Sequence, residues 1–223
     1  IIIIIASVFS ISIFSQEVFE ETMAISKNQE VAVNFDFADQ IIIKKWEKPV
    51  AFVKVIVNIN DNEDNDKFSL DLKEAPDKII VTGEVEDLEK IGHQETVIHL
   101  GEIIRSDNHC INMEIDCEIF LPDISRLNIE TISGNIEIIG FESPVDAQSI
   151  SGFVDVSLNE SAGATIKMET VTGEFYSDLD LETTGTTEWK HHWIGGKLES
   201  RLNGGGNIIH LETVSGNIYL RKH

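Results

Sequence analysis

A twelve-residue pattern that occurs five times constrains this chain more than any other feature. Residues 127–138 and 209–220 are close copies of each other, and looser copies lie at 145–156, 166–177 and 189–200. We number these copies first to fifth in chain order. Their shared glycines are 18, 21, 23 and 20 residues apart. A period near 20 residues is too short for two helices and is typical of one coil of a β-solenoid.

Apolar and polar residues alternate within each copy, which indicates a strand with one buried face. In the first copy Leu127 and Ile129 have odd numbers, whereas the apolar residues from Ile132 onward have even numbers. Because a slip of one residue turns every side chain to the other face, we predict a bend at Glu130 and Thr131, with Ile132 inside. The shared glycines are predicted to point inward, where two backbones approach each other closely: Gly134, Gly152, Gly173, Gly196 and Gly216.

The predicted fold class is therefore all-β, a single-stranded parallel β-helix or β-solenoid with coils of about 20 residues. A β-sandwich with similar hairpins is the alternative. Hydroxyl side chains beside the bend are expected to form outward polar rows, and their repetition argues against a catalytic serine, which needs one base and one oxyanion hole. These residues are Thr131, Ser133, Ser149, Ser151, Thr170, Thr213 and Ser215.

The chain divides into three predicted parts. Residues 1–15 resemble the apolar core of a secretory signal peptide with cleavage before Gln16, although a buried strand is the alternative. Residues 16–125 are predicted to be irregular β-structure, forming early coils or a cap, with Lys78–Val85 resembling half of the repeat. Residues 126–223 form the regular repeats. An open solenoid end would be an exposed sheet edge, which makes a cap necessary.

Composition restricts the partners. The net charge of −22 disfavours nucleic acid and anionic lipid as ligands.

The two cysteines, Cys110 and Cys117, are too far apart for a disulfide if they share one strand, and at least one is predicted to be buried as a small hydrophobic residue. The acidic stretch 61–66 lacks the glycine and the glutamate of a calcium loop, so we interpret it as a solvated hairpin tip.

The most unusual local composition is an aromatic and histidine cluster in the fourth copy, formed by Trp189, His191, His192 and Trp193. Adjacent strand residues face opposite ways, so the two imidazoles do not readily share a metal ion. We interpret His191 as a core residue. Trp189, His192 and Trp193 are the candidate ligand surface, able to stack on a sugar ring or a partner. No catalytic residue, metal ligand or cofactor is predicted.

The segments 130–136 and 212–218, Glu-Thr-Ile-Ser-Gly-Asn-Ile and Glu-Thr-Val-Ser-Gly-Asn-Ile, resemble those of the bacterial putative-adhesin families. The resemblance covers residues 110–223 and implies an exported or cell-envelope β-solenoid, with no catalytic residues to transfer. The fourth copy departs from the pattern, because Trp193 and Gly195 replace the Thr and the Ser.

The sequence therefore predicts an exported, non-enzymatic binding or envelope-scaffold module, located in the periplasm, at the cell surface or outside the cell. Its partner would be a glycan or a surface protein. One alternative is a polysaccharide-active β-helix enzyme, which needs a basic residue above a carboxylate groove. Basic residues in the repeats are few: Lys167, Lys190, Lys197 and Arg201. The other alternative is a purely structural envelope protein without a ligand.

Overall fold

The computed structural model describes residues 15–88, 91, 93–99, 102–122, 124–183, 188–189 and 195–223. The regular structure in these residues is β-strand apart from 3-10 conformation at Asn65–Lys67 and at Leu88, which confirms the all-β prediction. The strands are β1 (Glu17–Ala24), β2 (Glu30–Lys45), β3 (Val50–Ile59), β4 (Phe68–Glu74), β5 (Lys78–Val85), β6 (His93–His99), β7 (Glu102–Cys110), β8 (Met113–Leu121), β9 (Arg126–Ile139), β10 (Val145–Ser151), β11 (Val154–Leu158), β12 (Ala164–Thr170), β13 (Phe175–Ser177), β14 (Glu182–Thr183), β15 (Glu188–Trp189), β16 (Gly196–Leu202), β17 (Asn207–Ser215) and β18 (Ile218–Lys222).

Four of the five copies stack as parallel, bent layers. Before the bend lies a first arm, made by the start of β9 and by β10, β12 and β17. After the bend lies a second arm, made by the end of β9 and by β11, β13 and β18. Residues at equivalent places in the repeat are direct partners, as when Leu127 faces Val145 and Ile136 faces Val154. Their inward side chains form the buried core.

The order of the layers differs from the predicted single-stranded β-helix, which would stack the copies in chain order. In the first arm the strand order is β9, β10, β17, β12, so the fifth copy lies between the second and the third. The described residues of the fourth copy do not join this parallel stack, because β16 runs antiparallel to β12 on the side away from β17. Because β16 reverses the chain direction, the fifth copy can return parallel to β12 on its inner side.

A glycine-rich turn makes this return possible. The segment 203–206 connects β16 to β17 across the start of β12, and Asn203, Gly204 and Gly205 all have positive φ. A Cβ atom at Gly206 would collide with the carbonyl oxygen of Gly163, so the crossing backbones leave no room for a side chain there. The amide of Asn203 donates to the carbonyl of Ala162 at 3.0 Å and holds the turn over β12.

Strand β2 is a further layer of the same kind, which the sequence analysis did not identify as a full copy. It pairs in parallel with β9 from Val31 opposite Leu127 to Ile43 opposite Ile138, with a register shift between Phe37 and Gln40. Strand β5 pairs in parallel with the first arm of β2, consistent with its half-repeat sequence, and β8 pairs in parallel with the second arm. Antiparallel β4, β3 and β1 follow outside them.

Candidate functional site

A buried hydroxyl group lies at the corner of each parallel copy, just before the chain turns. These side chains are almost inaccessible to solvent, so the prediction that they face outward is wrong: Thr131, Ser149, Thr170 and Thr213. Three of them donate a hydrogen bond to the glycine carbonyl of the neighbouring layer: Ser149 to Gly134 at 2.9 Å, Thr213 to Gly152 at 3.0 Å, and Thr170 to Gly216 at 3.1 Å. Because a buried carbonyl must be hydrogen-bonded, this position requires a small hydroxyl side chain.

In the four parallel copies the shared glycines lie inward at the same corner, as predicted, whereas Gly196 begins β16, which is not part of the parallel stack. A Cβ atom at Gly152 would overlap the carbonyl oxygen of Gly134, and one at Gly216 would overlap that of Gly152. The asparagine that follows the glycine links neighbouring layers: the Asn135 side-chain oxygen accepts from the Phe153 amide at 3.1 Å. The Gly-Asn pair is therefore explained by corner packing.

The change of face therefore occurs two residues later than predicted, at Ile132 and Ser133 instead of Glu130 and Thr131, and both Ile132 and Ser133 are exposed. Each parallel copy thus turns one β-branched apolar side chain toward solvent, with exposed fractions between 41% for Val214 and 55% for Val171. We call these four residues the apolar ladder; in order across the sheet they are Ile132, Ile150, Val214 and Val171.

A groove of about 280 Å³ runs along three residues of the apolar ladder. Its other side is a polar row two residues earlier in each strand, in which Glu130 faces Gln148, and Gln148 faces Glu212. The remaining residues of its lining are Asn34, Asp36, Thr131 and Ser149. Within the described part of the chain, the lining contains three carboxylates and no basic side chain.

A second groove, of about 270 Å³, lies nearer the start of the first arm. It brings Lys167 and Arg126 together with the carboxylates of Asp146 and Glu169. Both carboxylates already have partners. Asp146 Oδ1 lies 3.1 Å from His210 Nδ1, and Glu169 forms an ion pair with Lys197 on β16.

The predicted ligand surface is only partly within the described residues. Trp189 is the last residue of β15 and pairs with Gly196, but its side chain lies outside the described part. His192 and Trp193 lie outside the described residues altogether, as does His191. The structure therefore does not test this prediction. The apolar ladder is a surface that the sequence reasoning missed.

The acidic stretch 61–66 lies between β3 and β4, which pair with other strands and do not form a hairpin. Its turn is held by the Asn60 amide, which donates to the Asp64 carboxylate at 2.7 Å. Across the described ranges, no three His, Cys, Asp or Glu side chains are placed to share a metal ion. Those ranges also contain no helix of the length and apolarity that crossing a bilayer requires.

Comparison with known proteins gives a likeness in fold. No protein-family model matches the sequence, and curated proteins give no significant match. A solved structure described as a putative cell adhesion protein from Clostridium sporogenes ATCC 15579 is similar over 93% of this chain and all of its own, with a TM-score of 0.56 and 13% identity. A putative adhesin from Parabacteroides merdae ATCC 43184 aligns with 72% of this chain and 60% of its own, at 11% identity and a TM-score of 0.31. The first of these shows a shared fold.

Proposed function

We propose that this protein is an exported, non-enzymatic, adhesin-like module that binds a surface protein through the groove beside the apolar ladder. The observation that carries the proposal is the repetition of an exposed, β-branched apolar side chain at one position in four neighbouring layers. The likeness in fold to a structure described as a putative cell adhesion protein supports the same class of function.

The chemistry of the groove favours an extended polypeptide that presents apolar and basic side chains. Three apolar side chains line one wall, and the carboxylates of Glu130, Glu212 and Asp36 line the rest. Strands lie about 4.8 Å apart, so the ladder offers regularly spaced apolar contacts to a chain that crosses the sheet. A net charge of −22 attracts a basic partner at long range. A neutral glycan would find no aromatic ring in this groove to stack on.

The test uses a short acetylated peptide of alternating valine and lysine, titrated into the protein by calorimetry at low ionic strength. We expect binding that weakens with added salt, and a loss of roughly tenfold or more in affinity for the double variant Ile150→Thr/Val214→Thr, because two apolar contacts are removed while strand-forming residues are kept. The matched control is Ile208→Thr, on the same strand as Val214 and 47% exposed, but outside this groove.

Three outcomes contradict the proposal. The first is that the wild-type protein does not bind the valine–lysine peptide. The second is that it binds a valine–glutamate peptide equally well. The third is that Ile150→Thr/Val214→Thr retains the affinity while Ile208→Thr does not. The first outcome would favour the structural envelope protein without a ligand.

The second groove keeps the polysaccharide-active enzyme as a second candidate, because Lys167 lies there among carboxylates. The proposal of a binding module expects no release of reducing sugar from acidic or neutral polysaccharides. Release that Lys167→Ala abolishes would instead identify an enzyme.

Export is part of the proposal and rests on the apolar segment at residues 1–15, of which residues 1–14 lie outside the described residues. Expression of the whole chain in a bacterial host should give a protein in the cell envelope or medium whose first residue is Gln16. A protein that keeps residues 1–15 and stays in the cytoplasm would contradict export.

A further inference from the structure

The outward face of the second arm carries a small aromatic cluster that the groove does not include. Tyr176 on β13 stacks on Tyr219 of β18, with ring centroids 5.2 Å apart and planes inclined by 13°. Phe153 meets Tyr219 edge to face at 6.0 Å. The three rings therefore form a continuous aromatic surface across neighbouring layers.

Backbone register and polar contacts fix the two tyrosines in place. Tyr176 and Tyr219 are direct partners in the parallel pairing of β13 with β18. The Tyr219 hydroxyl accepts from the Asn217 amide at 3.1 Å, and the Tyr176 hydroxyl donates to the Glu174 carboxylate. The rings are thus oriented without a ligand, which reduces the entropy lost on binding.

An ion pair lies at one end of the ring stack and a carboxylate lies at the other. The Arg221 guanidinium lies 5.4 Å from the centre of the Tyr219 ring and pairs with the buried carboxylate of Asp155. On the other side, Glu174 is exposed and holds the Tyr176 hydroxyl. The Tyr176 end of the stack therefore has a carboxylate acceptor at its rim, whereas the Arg221 guanidinium is held by Asp155 at the Tyr219 end.

One ring face is available. Tyr176 is 45% exposed. Among the described strands, β13 pairs only with β18, so the face of Tyr176 opposite Tyr219 lies on the unpaired side of β13. An exposed aromatic face at the end of an ordered stack is a place where another flat, partly apolar ring can continue the stack.

We propose that Tyr176, supported by Tyr219 and Arg221, is a binding site for a neutral sugar ring. The C–H face of a pyranose would lie on Tyr176, while its hydroxyl groups would donate to Glu174. An acidic sugar is disfavoured because the Glu174 carboxylate and the net charge of −22 repel it. The site lies on the second arm, and its operation does not depend on the groove beside the apolar ladder.

The test is saturation-transfer NMR with three neutral oligosaccharides: cellotetraose, maltotetraose and N-acetylated chitotetraose. We expect at least one of them to receive saturation, strongest at the C–H protons of one ring face. Tyr176→Ala should weaken binding of that oligosaccharide roughly tenfold, whereas Tyr176→Phe should keep most of it because the ring remains.

The control for the groove is Ile150→Thr/Val214→Thr, which should bind the oligosaccharide as the wild type does. If none of the three oligosaccharides receives saturation, the sugar site is refuted even where the valine–lysine peptide binds. Equal binding by the wild type and by Tyr176→Ala would also refute it. Tyr176→Ala that melts with the wild type and binds the peptide normally confirms that the loss is local.

Discussion

The buried hydroxyl row allows a matched test of why the corner has its sequence. Thr213 and Thr131 occupy the same place in two parallel layers, and both are buried. The Thr213 hydroxyl donates to the Gly152 carbonyl at 3.0 Å, whereas the Thr131 hydroxyl has no partner among the described residues. The layer next to Thr131 is β2, whose register shifts at this corner.

Replacing each threonine with valine keeps the shape and exchanges the hydroxyl for a methyl group. At Thr213 the change leaves the Gly152 carbonyl without this donor, which should cost about 1–3 kcal/mol. For a chain of this size that lowers the melting temperature by roughly 2–10 °C. At Thr131 the change removes an unpaired buried polar atom, so we expect no loss, or a gain of up to about 1 kcal/mol.

The measurement is thermal and urea unfolding of the two variants and the wild type, followed by circular dichroism in the β-sheet region. The expected order of stability is Thr131→Val, wild type, Thr213→Val. Because the two substitutions are chemically identical, strand propensity and side-chain entropy largely cancel in the comparison. Equal melting of both variants would refute the assignment of the hydroxyl–carbonyl bond as the reason for the Thr or Ser at this position.

Further predictions concern packing and titration. Gly134→Val and Gly216→Val should each cost more than about 1 kcal/mol in urea unfolding, because the new side chain meets a neighbouring carbonyl; unchanged midpoints would contradict the inward assignment. Burial raises the pKa of the Cys117 thiol, so in a Cys110→Ser background it should react with a thiol reagent only after unfolding, and stability should fall as the pH rises above 9.0. Partial desolvation and the neighbouring carboxylates of Asp39 and Glu114 raise the pKa of Asp116, so its charge opposes folding at pH 7. Asp116→Asn should therefore melt higher at pH 7, with the difference disappearing below pH 3.8, and an equal difference at both pH values would contradict this.

The repeat predicted the local structure better than the arrangement of the layers. Alternation gave the strands, and the glycines gave the places where backbones meet. The corner was placed two residues too early because Ile132 was assumed to be buried. The signal that could have corrected this is that positions 131, 149, 170 and 213 all carry Thr or Ser, the side chains able to close a hydrogen bond inside a tight corner.

The order of the layers has no such signal in the repeat. Equivalent positions in each copy are apolar, so every copy presents a compatible edge to every other, and pairing rules alone do not choose neighbours. The choice depends on the fourth copy, whose departure at Trp193 and Gly195 coincides with the loss of parallel pairing, and on the turn at 203–206 that crosses β12. The turn lies outside the repeated positions, and the departure in the fourth copy does not alter the period, which is why a period near 20 residues predicted sequential coils.

The apolar ladder is not a requirement of the corner. Two consecutive residues face outward there, and the second is polar in the first, second, third and fifth copies: Ser133, Ser151, Thr172 and Ser215. A polar residue is therefore tolerated at the turn, and threonine would give the first position the same strand preference as valine or isoleucine. All four copies nevertheless carry Ile or Val there, at the cost of exposing apolar surface to water. Exposed apolar side chains in a continuous row are typical of a surface that a partner covers. Ile150→Thr/Val214→Thr separates strand preference from partner binding as the reason for Ile or Val at this position, because it keeps the strand preference and removes only the apolar contact.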